Sequence, residues 1–452
     1  MKITFLGATN TVTGSKFLVT LGTKNILIDC GLFQGLKELR LRNWAKFPID
    51  PKKIDAVVLT HAHIDHTGYL PVLVKNGFKG KVYCSDATKD LCAVLLPDSG
   101  YLQEEEAKFL NKHGYSKHKP ALPLYTQQDA FDTLPLLHAI PFRKEVKIDE
   151  ETTISLMPAG HILGATFVQF KNYGTTLLFS GDLGRPQDII MHKPAIMQAA
   201  DFLVLESTYG NRLHKKINPL DELAEIITRT INRDGTVVIP AFAVGRAQHL
   251  LYLMYLLKRD KRIPDVPVYL DSPMARSATQ LFVKYHELHR LDAALSKEVC
   301  ELPIYVNSKE ESQAIDAIKT PKIIISASGM LEGGRVLHHI KIFAPDEKST
   351  IIFAGYQAAG TRGADLINGK ASIKVFGETV PVRAEVKVLS NMSAHADYEE
   401  ILDWLSHFNH HPQKVFITHG EPEAASALKE KIEDKYGWKC MVPEYMYTEQ
   451  LN

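Results

Sequence analysis

The stretch Thr60-His61-Ala62-His63-Ile64-Asp65-His66 holds three imidazoles and one carboxylate within six positions, directly after the apolar run Ala56-Val57-Val58-Leu59. Neutral imidazole and carboxylate are standard donors to zinc and similar cations. An H-x-H-x-D-H loop offers two histidines to one ion and an Asp/His pair to a second. A strand before such a loop fixes where it leaves the sheet, so the donors start near their final places. The bland alternative, histidines serving as caps in a polar loop, leaves so dense a set of ligand types unexplained.

The elements that position these residues follow a pattern. Short strands are predicted at 3–6, 17–20 and 26–28, the last running into Asp29-Cys30-Gly31. Asp29 reads equally as a turn-forming Asx residue and as a carboxylate aimed beyond a sheet edge. Thr153–Pro158 reads as a strand leading to Ala159-Gly160-His161, and the strand at 175–179 leads to Ser180-Gly181-Asp182. Asp201–Leu205 closes on Glu206-Ser207-Thr208. A strand near 384–389 leads to Ser393-Ala394-His395-Ala396-Asp397, and Lys414–Thr418 ends in His419-Gly420-Glu421. Between Tyr209 and about 369 the chain changes style. Helical spacing (Leu220, Leu223, Ala224, Ile227, Ile231) alternates with buried-type strands at 236–240, 268–270, 323–326 and 349–353, the signature of a parallel α/β unit. Three segments are therefore expected: 1–208, an inserted domain at 209–369, and 370–452 returning to the first domain.

Composition narrows the class. The chain has 452 residues, 45% hydrophobic and 23% charged, with a net charge of +1. That is ordinary for globular protein and leaves no global basic field, so a polyanion would need a local patch. The five cysteines are odd in number and lack C-x-x-C spacing, which fits a reducing compartment. No secretory signal or membrane span is apparent, and a cytoplasmic location is expected.

The ordered series His61, His63, Asp65, His66, His161, Asp182, His419 resembles the metallo-β-lactamase superfamily. Glu206, His395 and His419, with Pro240–Gln248 and Ser326–Arg335, resemble the motifs of its beta-CASP group of nucleases. The compact form is similar to short prokaryotic members related to RNase J and the cleavage and polyadenylation endonuclease subunit. The resemblance implies an α/β fold: an αβ/βα four-layer sandwich with an inserted parallel α/β beta-CASP domain. It implies two Zn2+ per chain, one on His61, His63 and His161, the other on Asp65, His66 and His419, bridged by Asp182. A histidine at 419 goes with RNA-acting members.

The expected activity is hydrolysis of RNA phosphodiesters, in endo or exo mode, by two-metal activation of a bridging water, leaving 5′-phosphate and 3′-hydroxyl ends during RNA processing or decay. His395 is the expected general acid, Glu206 its orienting partner, and Asp65 a ligand that also contacts the nucleophile. Single-stranded RNA is the expected partner, and a homodimer is compatible. For substrate grip, Ser328, Gly329, Gly333, Gly334 and Arg335 form a loop opening a helix, where free N–H groups suit phosphate. Gly360 and Arg362 have the same build, beside Arg246. Each loop alone can be a structural turn, but two of them in one inserted domain favour phosphate contacts; Tyr209 and Tyr356 can equally stack bases or pack. A DNA nuclease or a small-molecule metallo-hydrolase of the same fold are the rivals.

Overall fold

The structure, a computed structural model, describes residues 1–215 and 217–451, without the side chain of Ser390. The chain forms two compact units: Met1–Leu213 with His395–Asn452, and His214–Ala394.

The first unit contains two seven-stranded sheets. One runs in the order Thr448–Gln450, Lys2–Phe5, Phe17–Leu21, Lys24–Ile28, Ala56–Val58, Lys81–Cys84, Leu137–Ala139. The other runs Cys440–Met441, Lys414–Thr418, Phe202–Glu206, Thr175–Phe179, Thr166–Asn172, Thr152–Pro158, Val146–Lys147. Alternate residues of both sheets build one core: Ile3, Phe5, Val19 and Ile28 meet Leu156, Val168, Phe179 and Phe416. Phe5 and Phe416 pack with ring centroids 5.1 Å apart, and Phe17 and Phe179 at 5.7 Å. The opposite faces are apolar too: Val57, Leu203, Leu205, Val415 and Ile417 are buried. Strands buried on both faces read as continuous hydrophobic runs rather than alternation, which is why the Ala56–Leu59 and Phe202–Leu205 runs carry no polar residue.

In the second unit, a six-stranded sheet runs in the order Ile304–Tyr305, Val268–Asp271, Lys322–Ser326, Thr236–Pro240, Thr350–Phe353, Glu385–Val388. Every pairing in it is parallel. Helices including Arg246–Arg259 and Val336–Phe343 supply the crossovers that parallel pairing requires. The expected limits, 209 and 369, differ from those observed. The strand Glu385–Val388 pairs with Thr350–Phe353 and so extends this unit to Ala394. Nothing in the four residues of that strand distinguishes a last partner of one sheet from a first strand of another. Among the described residues no helix is long and apolar enough to cross a membrane.

Candidate metal centre

The donors sit where strands of the first unit stop. Ala56–Val58 hands the chain to His61 and His63, and the short helix Ile64–Thr67 carries Asp65 and His66. His161 follows Thr152–Pro158, Asp182 follows Thr175–Phe179, Glu206 ends Phe202–Glu206, and His419 follows Lys414–Thr418. Close approach here needs glycine at Gly31, because a Cβ there would stand 1.6 Å from Asp65 O.

The seven expected donors converge. His61 Nε2 and His161 Nε2 each lie 3.3 Å from Asp182 Oδ2. His63 Nδ1 stands 3.1 Å from His61 Nε2 and 3.3 Å from His161 Nε2. On the other side His66 Nε2 lies 3.3 Å from Asp182 Oδ1 and 3.2 Å from His419 Nε2, and His419 Nε2 is 3.4 Å from Asp65 Oδ2. Two groups result, His61/His63/His161/Asp182 and Asp65/His66/His419, with Asp182 reaching both.

Donors held about 2.1 Å from one tetrahedral ion stand about 3.4 Å from one another, which is the spacing observed. Tautomers point the same way. Asp29 Oδ2 lies 2.8 Å from His66 Nδ1, and a carboxylate there holds the proton on Nδ1. That leaves a lone pair on Nε2, facing Asp182, Asp65 and His419. Thr60 Oγ1 is 3.0 Å from His61 Nδ1 and Thr208 Oγ1 is 3.2 Å from His419 Nδ1. Lone pairs converging on one point repel unless a cation lies between them, so these residues fit a divalent ion at each group. Asp182 Oδ1 accepts no hydrogen bond among the described residues.

The electrostatics favour ligand forms in the first group. In the second, burial is outweighed by the Asp182, Asp29 and Asp65 carboxylates, which raise the His66 pKa well above its ordinary value, so a cation would have to displace that proton. Burial drives the His61 pKa down to about 3 and that of His161 well below its ordinary value, so both imidazoles are neutral. Burial opposes charge on Asp182, but the His419 and His66 imidazoles lead the interactions that outweigh it and hold its pKa well below the usual carboxylate range.

A second arrangement touches the first. His395 Nδ1 lies 3.1 Å from Glu206 Oε1 and 4.0 Å from Asp182 Oδ2. Glu206 is fixed in turn: Oε1 accepts from Leu183 N at 2.6 Å and Oε2 from Thr208 N at 3.2 Å. Ala396 N bonds Leu183 O at 2.8 Å, locking the His395 segment beside Asp182. Burial would lower the His395 pKa, but the Glu206 and Asp182 carboxylates outweigh it and raise it to about 8.

The expected substrate loops lie in the second unit, where they bind each other. Gln357 Nε2 donates to Gly329 O at 3.1 Å, and Gly363 N to Met330 O at 3.1 Å. Ser328 Oγ accepts from Glu332 N. Arg335 is spent on Asp271 at 2.8 Å and on the carbonyls of Val306 and Asn307. Arg362 is spent on the carbonyls of Lys374 and Leu331. Gly334 and Gly360 take positive φ, Gly333 has open space around it, and Arg246 is buried at the start of its helix. Three residues that contact these rings have no role at the centre in the sequence reading: Asp29, placed at its strand end without a partner, Thr60, named only as the start of the histidine stretch, and Thr208, named only beside Glu206.

The chain matches three family models: "Metallo-beta-lactamase superfamily" over residues 11–224, "Beta-Casp domain" over 247–366, and "Zn-dependent metallo-hydrolase RNA specificity domain" over 379–443. Ribonuclease TTHA0252 of Thermus thermophilus is 36% identical over 436 residues, 95% of each chain. Transcription termination factor FttA of Methanosarcina mazei is 32% identical over 466 residues, 96% of this chain and 69% of that protein. A protein of unknown function from Enterococcus faecalis shares the fold at a TM-score of 0.53 and 15% identity, covering 100% of this chain and 99% of its own.

Proposed function

Because the chain belongs to the beta-CASP family of metallo-β-lactamase-fold nucleases, we propose that it is a zinc-dependent ribonuclease that hydrolyses single-stranded RNA to 5′-phosphate and 3′-hydroxyl ends, in cytoplasmic RNA processing or decay. The observation that carries this reading is the His395–Glu206 pair at 3.1 Å beside Asp182. A hydrolase acting on a good leaving group needs no such proton donor, whereas a ribose 3′-oxygen leaving a phosphodiester does.

Two zinc ions, held by His61, His63, His161, Asp182, Asp65, His66 and His419, would supply an activated water and neutralise phosphoryl charge. The protein's own residues do the rest. Glu206 holds the Nδ1 proton of His395, so the proton delivered to the leaving oxygen would come from the other ring nitrogen. Asp29, Thr60 and Thr208 fix the ring orientations of His66, His61 and His419, the outer contacts that tune a metal site. The RNA specificity description of the C-terminal match favours RNA over DNA. The test is purified protein with zinc on labelled single-stranded RNA and sequence-matched DNA, with the product ends identified. Cutting of RNA alone, leaving 5′-phosphates, supports the reading; intact RNA removes it.

A further inference from the structure

Residues 33–46 form a surface excursion that the metal centre does not use. Its base is fixed beside that centre: Leu32 N bonds Ile64 O at 2.9 Å and Gln34 N bonds Thr13 Oγ1 at 3.2 Å. Buried Asn43 closes it, donating to Phe33 O at 2.8 Å and accepting from Phe33 N at 3.0 Å. The Arg42 guanidinium lies 4.5 Å over the Tyr445 ring. What this clasp holds out is the helix Lys37–Arg42, none of whose residues is buried. The excursion carries Lys37, Arg40, Arg42 and Lys46 against one acid, Glu38, on a chain whose net charge is only +1. Lys37, Arg40 and Lys46 are exposed and make no ion pair among the described residues. Trp44 is 59% exposed and Leu41 57%.

An indole left in water on a rigid, unpaired basic ridge points to a partner. Charge selects a polyanion, and the free ring face selects unpaired bases, since stacking on an aromatic needs a base released from a duplex. A protein partner fits less well, because one short helix falls short of the roughly 800 Å² per side that stable interfaces bury. The five residues from Leu32 to Lys37 span at most about 17 Å, so a strand on the ridge stays within a few nucleotides of the centre.

We propose that Lys37, Arg40, Trp44 and Lys46 are a landing site for single-stranded RNA, gripping substrate away from the scissile bond. This rests on the ribonuclease reading. The test compares wild type with the triple variant Lys37→Ala/Arg40→Ala/Trp44→Ala on single-stranded RNAs of about 20 and about 4 nucleotides across a salt series. The substituted side chains are exposed and the Asn43 clasp is kept, so folding is retained. On the long RNA, kcat/KM should fall about tenfold, mainly through KM, and the salt slope of log KM should drop by about 1.4, at about 0.7 per lost phosphate contact. The short RNA should lose less than about twofold, as it does not reach the ridge. Wild-type kinetics on the long RNA, or equal losses on both lengths, would overturn the proposal. Unchanged RNA kinetics with an altered oligomeric state by light scattering would assign the ridge to protein contact instead. If wild type cuts neither RNA, the ribonuclease reading itself has failed and the landing site goes with it.

Discussion

His395 Nδ1 and Glu206 Oε1 lie 3.1 Å apart although 189 residues separate them in the chain. The same Glu206 oxygen accepts from Leu183 N at 2.6 Å, one residue after Asp182. The carboxylate therefore ties the imidazole to the turn that carries Asp182. Replacing Glu206 with Gln should leave zinc content and KM close to wild type and lower kcat about 10- to 100-fold, the usual cost of losing an orienting contact. Steady-state kinetics with metal analysis decide it; an unchanged kcat removes the orienting role.

His395→Ala should lower kcat about 10²- to 10⁴-fold, the range for losing a general acid, with both metal groups intact. Loss of bound metal in proportion to activity would instead make His395 a ligand.

Asp29 is buried and accepts from Thr60 N at 2.7 Å and Thr60 Oγ1 at 2.9 Å while holding His66 Nδ1. Asp29→Asn should weaken metal binding about 10- to 100-fold in a chelator competition. Affinity equal to wild type would reduce Asp29 to a turn residue.

In the second unit, buried His339 lies between Asp271 at 2.8 Å and Asp316 at 2.6 Å, with Arg335 and Ser312 also on Asp271. Burial would lower the His339 pKa, but the two carboxylates outweigh it and raise it from 6.5 to about 8. The folded state thus binds this proton more tightly than the unfolded chain. The stabilisation is complete below about pH 6.5 and disappears as pH rises through about 8, amounting to about 2 kcal/mol. Wild type should lose that much more stability than His339→Gln between these limits in denaturant titrations. Parallel pH profiles would contradict it.

Much of the centre was legible because ligand chemistry leaves a local imprint. Four donors in six positions, and single His or Asp residues where apolar runs stop, survive without knowledge of the fold. The roles of Asp29 and Thr208 were not legible, since their partners, His66 and His419, lie 37 and 211 residues away and nothing local marks the pairing. The glycine loops were ambiguous for a physical reason. A loop that lets backbone approach a phosphate and one that lets two turns hydrogen-bond have the same composition. Arg335 and Arg362 turn out to be engaged by internal partners. The strand pattern of the inserted unit was clear, but the ownership of Glu385–Val388 depended on a pairing with Thr350–Phe353 that the strand's own residues do not encode.

The most direct test is to measure zinc per chain in purified protein alongside its cleavage of single-stranded RNA, before and after removal of metal by a chelator. About two zinc per chain are expected, one for each donor group, with cleavage lost on chelation and restored by added zinc. Protein that carries no metal yet cuts RNA undiminished would contradict the account.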